Sequence, residues 1–193
     1  VCKNGNEWVD GNYGIMLLGD RPRAWLNIGG GRENAFFVDG AVDPALQADR
    51  WNHLAISYDG DRLRLYANGR PVGEQQVGRP RVPGSGGLAF GRRQDNSGDG
   101  YYFRGVVDEV RLYDSVLSEQ DILARATSPE VPLPEARPIR EWSFDSSGRQ
   151  ALSRPTQRWR SAALEVSLAT ADHTYRQRWE LPEGQTWGAD AWH

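Results

Sequence analysis

Two tight-turn dipeptides set between alternating apolar segments constrain this chain more than any other feature. Arg62-Leu63-Arg64-Leu65-Tyr66-Ala67 follows Asp59-Gly60 and runs into Asn68-Gly69. Both dipeptides tolerate positive φ, the geometry that lets a short loop join two twisted antiparallel strands. Within the segment, Leu63 and Leu65 share one face while Arg62, Arg64 and Tyr66 take the other. Such a strand belongs to an antiparallel sheet with one side buried and one side wet.

The same pattern recurs along the chain. Val1-Cys2-Lys3 looks like a strand, and Tyr13 to Leu18 is an apolar run closed by Gly19-Asp20 and a proline. Ala24 to Ile28 stops at Gly29-Gly30-Gly31, Ala35 to Val38 ends at Asp39-Gly40, and Trp51 to Tyr58 leads into Asp59-Gly60. Pro71-Val72, Leu88 to Gly91 and Tyr102 to Tyr113 supply further strands. Ser118-Glu119-Gln120-Asp121 ahead of Ile122 and Leu123 predicts a capped helical turn, with Ser118 as N-cap and acids in the first turn. Residues 128–139 hold four prolines and little apolar material, which predicts a linker. Alternation resumes at Trp142 to Phe144, Ala163 to Leu168 and Tyr175 to Leu181. The expected organisation is a sandwich over 1–127, a linker over 128–139 and an incomplete second β-rich domain over 140–193. Without an initiating Met, and starting and stopping in strand-like residues, the sequence reads as a fragment open at both ends.

Composition narrows the function classes. With 38% hydrophobic and 25% charged residues the chain can bury a core. Its 22 Gly, 11 Pro and many aromatics (8 Trp, 7 Tyr, 5 Phe) fit short strands and tight turns rather than a helical bundle. A net charge of −3 with scattered basic residues gives no footprint for nucleic acid. Lys3 is the only lysine among 23 basic residues, a coding bias of a GC-rich, bacterial kind rather than a need for guanidinium groups. One cysteine, Cys2, excludes an internal disulfide, and three scattered His exclude a His/Cys zinc cluster. The apolar runs are too short for a membrane-spanning helix. Gly29-Gly30-Gly31 leads to another strand and so is a turn rather than a phosphate loop, and no Gly-x-Ser-x-Gly elbow occurs.

An ordered set of short motifs then points to a family. Trp51-x-His53-x-Ala55, Tyr58-Asp59-Gly60, Leu63-x-Leu65-Tyr66-x-Asn68-Gly69 and Phe90-Gly91 are followed by Phe103-x-Gly105-x-Val107-Asp108-Glu109-Val110-Arg111-Leu112-Tyr113, Leu117-Ser118 and Ile122. Over residues 1–126 this resembles the laminin G-like, concanavalin A-like jelly-roll family. The resemblance implies an all-β fold, an antiparallel jelly-roll β-sandwich. It implies a non-catalytic, lectin-like binding module of a larger secreted or surface protein (extracellular, periplasmic or cell-surface), taking a glycan or a protein surface as partner beside other domains of its own polypeptide. The alternative is a structural or adhesion spacer without a small ligand, attached to an extracellular enzyme. A family member normally opens with a Trp-x-Phe-Asp strand that is missing here, leaving the Asp108 strand without its usual neighbour. Trp142-Ser143-Phe144-Asp145 resembles that opening but follows the domain. It could open a tandem copy, be an unrelated strand, or be a circularly permuted strand completing the first domain.

Candidate site residues carry two readings each. His53 lacks an evident base partner and nucleophile, so a structural role is expected. Trp51, Tyr58, Tyr66 and Tyr113 are expected to pack in the core and on sheet faces rather than to serve as sugar platforms. Asp108 and Glu109 are adjacent in a strand, which points them to opposite faces and denies them the paired geometry of a glycosidase. Asp108 is a candidate Ca²⁺ ligand, the alternative being a hydrogen bond to a neighbouring loop backbone. Asp95, Asn96, Ser97, Asp99, Tyr101 and Tyr102 bring planar polar groups and flat rings into one Gly-punctuated loop, which is the chemistry that a sugar requires. Asn4, Asn6, Glu7, Trp8, Asp10 and Asn12 form a second such segment. Ordinary solvated turns would have the same composition.

Overall fold

The computed structural model describes residues 1–3, 7–41, 46–84, 87–92, 103–129, 132–133 and 136–143, and the backbone of 162–170. The hairpins pair into two antiparallel sheets. Strands β1 (Cys2–Lys3), β2 (Tyr13–Leu18), β3 (Arg21–Asn27), β4 (Ala35–Asp39) and β8 (Leu88–Ala89) form the first, in the order β4-β3-β2-β1-β8. Strands β5 (Trp51–Tyr58), β6 (Arg62–Ala67), β7 (Arg70–Gln76), β9 (Gly105–Tyr113), β10 (Arg140–Trp142) and β11 (Ala162–Thr170) form the second, in the order β10-β9-β11-β5-β6-β7. Asn68 and Gly69 both have positive φ, 49° and 78°, as the β6–β7 turn requires.

Period-2 alternation decides what lies between the sheets. Leu54, Ile56 and Tyr58 from β5 and Leu63, Leu65 and Ala67 from β6 point inward, meeting Tyr13, Ile15, Ala24, Leu26 and Val38 of the first sheet. Each fully buried aliphatic side chain contributes about 2 kcal/mol. On the far side of the first sheet, Trp25 is buried with Cys2 and Ala89. Gly14 makes room for it: the two residues are paired in register, and a Cβ on Gly14 would stand 2.3 Å from the indole.

The outer face of the second sheet is only partly wet. Ser118 caps helix α1 (Glu119–Thr127), its hydroxyl accepting from Asp121 N–H while the Asp121 carboxylate accepts from Ser118 N–H, so the expected helical turn extends to two and a half turns. Ile122 of α1 buries itself with Ala55, Tyr66, Tyr113, Leu117 and Ala136. Tyr66, on the outer face by alternation, is therefore buried there. The proline-rich stretch contributes to this cover, since Ala136 is buried and Ile139 N–H donates to Leu112 O at 2.8 Å. Among the described residues no helix is long and apolar enough to cross a membrane.

Where the sequence predicted a separate second domain from residue 140, the structure shows two strands joining the first. β10 pairs with β9, Trp142 opposite Val110, and the Trp142 ring enters the core 5.2 Å from Phe90 in an edge-to-face contact. β11 inserts between β9 and β5. The Asp108 strand thus gains a neighbour on both sides, because unpaired backbone groups at its edges would otherwise be buried without partners. The predicted strand Tyr175 to Leu181 lies outside the described residues.

Charges staple the outer surface. Arg111 is buried on the outer side of β9, its Nε–H donating to Glu141 Oε1 of β10 at 2.6 Å and its Nη2–H to Glu109 Oε2. At the β5–β6 turn, burial alone would raise the Asp59 carboxyl. Hydrogen bonds from Arg62 N–H, the Arg64 guanidinium and Asp61 N–H outweigh it and lower its pKa from 3.8 to about 2.

Two predictions follow from this packing. Gly14→Ala should destabilise the protein by about 1–3 kcal/mol in urea denaturation, because the Trp25 ring has nowhere to retreat. Asp59 is depressed in the folded state, so its contribution is present above the unfolded carboxyl pKa and is lost as pH falls through about 2. Asp59→Asn should therefore be less stable than the parent at pH 6, and the two denaturation midpoints should converge as pH drops from 4 towards 2.

Candidate binding face of the six-stranded sheet

Strands β5, β11 and β9 lie side by side, and their registers build the outer face in rows. Trp51 pairs with Ala169, which pairs with Val106. The next row runs His53, Ser167, Asp108, and beyond it come Ala55, Glu165, Arg111 and then Ser57, Ala163, Tyr113. Tyr113 and Ala55, in the last two rows, pack with Ile122 of α1, Leu133 and Ala136, whereas the first row is open. Trp51 is 57% exposed and Val106 43%. Two strand spacings of ~4.8 Å separate them, so together they span ~10 Å of sheet.

Trp51 was expected to pack, and the structure corrects that expectation. The signal lay in its parity: Trp51, His53, Ala55 and Ser57 alternate away from the core-facing Leu54, Ile56 and Tyr58. Parity assigns the outer face but cannot say where that face is covered. Tyr58, Tyr66 and Tyr113 are buried as expected, and so is His53, whose backbone N–H donates to Asn68 Oδ1 at 2.9 Å.

The Asp108-Glu109 pair also departs from expectation. Glu109 has a φ of 51°, and the β9–β11 register slips between Glu165 and Ser167. This is a β-bulge, in which two residues on one strand oppose one on its partner. Val107 packs against the core and Val110 lies within it, so Asp108 and Glu109 share the interval that alternation would give to a single outward residue. Asp108 and Glu109 are therefore not on opposite faces. The Glu109 carboxylate is instead bound to Arg111, and Asp108 Oδ1 accepts from Glu109 N–H at 2.7 Å. No group of three His, Cys, Asp or Glu side chains converges among the described residues, so Asp108 has no carboxylate shell there with which to hold Ca²⁺.

The two loop candidates fare differently. Asp95, Asn96, Ser97, Asp99, Tyr101 and Tyr102 lie outside the described residues, as do Asn4 and Asn6. The rest of the 4–12 segment is held by Asn27, buried at the end of β3. Its amide donates to Glu7 O and Gly31 O, both at 2.8 Å, and its Oδ1 accepts from Gly30 N–H at 2.9 Å. Asp10 Oδ1 accepts from Gly29 N–H at 2.7 Å, and Trp8 O from Gly31 N–H at 2.8 Å. The half-buried Trp8 ring meets Phe37 edge-on at 6.0 Å and carries the Arg32 guanidinium 5.4 Å from its centroid. No sequence signal marks Asn27 as the organiser of this segment, because its partners are loop backbones from two separate stretches.

Two antiparallel sheets, a covered half-face and an open aromatic row define a β-sandwich of lectin architecture. The chain belongs to the concanavalin A-like lectin/glucanases superfamily, whose laminin G family pattern matches residues 3–123. It is also similar to the rat protein "Sushi, von Willebrand factor type A, EGF and pentraxin domain-containing protein 1", at 32% identity over 94 residues, covering 44% of this chain and 3% of the rat protein. The mouse protein of the same name is 31% identical over 94 residues, with the same coverage. The chain thus spans a small fraction of the length of these relatives. No solved structure gives a significant match.

Asn27→Ala would remove the one buried side chain that joins Glu7 O, Gly31 O and Gly30 N–H. It should destabilise the protein by about 2–4 kcal/mol in urea denaturation.

Proposed function

We propose that the chain is a non-catalytic, lectin-like module of a larger secreted or surface protein and that it recognises carbohydrate through the open row of the six-stranded sheet. The observation that carries this reading is the exposed Trp51 ring. An indole left in water forgoes about 2–3 kcal/mol of burial, and exposed aromatics on a flat sheet are the surfaces on which the C–H face of a sugar stacks. Val106 extends the apolar floor, and Asp108, in the adjacent row, provides a carboxylate for hydroxyl groups. The loop with Asp95, Asn96, Asp99, Tyr101 and Tyr102, which ends just before β9, is proposed as a second contact region. Family membership supports a binding role, and the multidomain names of the relatives support a place within a larger extracellular polypeptide.

The non-catalytic half of the proposal rests on chemistry. Glycoside hydrolysis requires two carboxyl groups flanking one bond, one of them free to give up a proton. On this face Glu109 and Glu141 are both committed to the Arg111 guanidinium, which leaves Asp108 as the remaining carboxylate among the described side chains of these rows.

Affinity electrophoresis through gels containing a broad polysaccharide panel tests the reading. At least one polysaccharide should retard the protein. Trp51→Ala should abolish the retardation while shifting stability by no more than about 0.5 kcal/mol, as expected of an exposed residue. Retardation by none of the panel would overturn carbohydrate recognition and favour the spacer role.

A further inference from the structure

β11 reaches the sheet from beyond the proline-rich stretch and occupies a central position. It pairs with β5 over eight residues, from Ala162 opposite Tyr58 to Ala169 opposite Trp51, and with β9 from Ala163 opposite Tyr113 to Thr170 opposite Gly105. Remove it, and among the described residues β5 keeps only β6 while β9 keeps only the three-residue β10. The exposed edges would not be ordinary solvated ones. Leu54, Ala55, Ile56, Ser57, Val110 and Leu112 are each 5% exposed or less, with the core on one side and α1, Leu133 and Ala136 on the other. Backbone N–H and C=O groups so enclosed must find partners.

The sequence of β11 suits that place. Leu164 and Val166 stand in register opposite the core-facing Ile56 and Leu54, while Ala163, Glu165, Ser167 and Ala169 stand opposite the outer-face residues Ser57, Ala55, His53 and Trp51. A one-residue slip would exchange the two sets, so the alternation specifies a single register.

We propose that β5 and β9 form a strand-accepting slot and that residues 162–170 are its dedicated occupant, docking by β-augmentation on both edges at once. The folding unit then extends through Thr170, across the proline-rich stretch, and the part matching the laminin G pattern is incomplete without it. The same insertion brings Trp51 and Val106 to the two ends of one row.

The full chain allows a test that reads folding and not ligand, so it stands whether or not a glycan binds. A protease site is placed within 146–158, the folded protein is cleaved, and the products are run on gel filtration under native conditions. The C-terminal fragment should co-elute with the body. Its release from a body that keeps its near-ultraviolet circular dichroism and cooperative unfolding would overturn the proposal. Its release with loss of those signals would support it. In the uncleaved chain, Leu164→Pro removes a ladder donor from a central strand and should accelerate amide exchange in 51–58 and 105–113 by at least ~10-fold. Unchanged exchange in those strands would also overturn it.

Discussion

Much of this structure depends on the pairing of β5 on both of its edges. Its residues from Asn52 onward are buried, with the intersheet core beneath and, over its middle, a helix above. In such a place neither edge can turn to water for hydrogen bonds, so each must have a strand. β6 satisfies one edge through a hairpin that is local in sequence. The other is satisfied by β11, more than a hundred residues downstream, and that non-local partner determines which strands lie next to β9 and what the outer face contains.

The half-cover of that outer face is the second organising feature. Helix α1, Leu133 and Ala136 bury Tyr66 and Tyr113 and leave the Trp51 end open. Gly69 lets the helix come close, since a Cβ there would lie 2.8 Å from Leu123 Cδ1. A cover extending two rows further would hide Trp51. Without any cover, the two tyrosine-bearing rows would be exposed and the sheet would be prone to stick. The boundary between covered and open rows is therefore what gives the face a candidate site.

Charge plays a subordinate, positioning role. Arg111 ties Glu109 of the bulge to Glu141 of the short edge strand, fixing β10 in place at a point where three residues of pairing are weak by themselves. The bulge at Glu109 lets two consecutive residues face away from the core. It also turned an inference from simple alternation into an error. On the opposite sheet, Asn27 does with hydrogen bonds what an apolar residue could not, holding two glycine-containing loops against each other.

The sequence by itself determined the local elements: the hairpins at Asp59-Gly60 and Asn68-Gly69, the inward parity of Leu63 and Leu65, the Ser118 cap, the all-β class and the family. These are encoded over two to seven residues by φ tolerance, alternation and side-chain capping, so they can be read without knowing what lies nearby. The tertiary structure alone decided that 140–142 and 162–170 belong to the six-stranded sheet, that Trp51 is open while Tyr66 is covered, and that Asp108 and Glu109 share a bulge. Each of those depends on which distant backbone sits alongside. A strand's alternation specifies its two faces but carries no record of its neighbour or of what covers it.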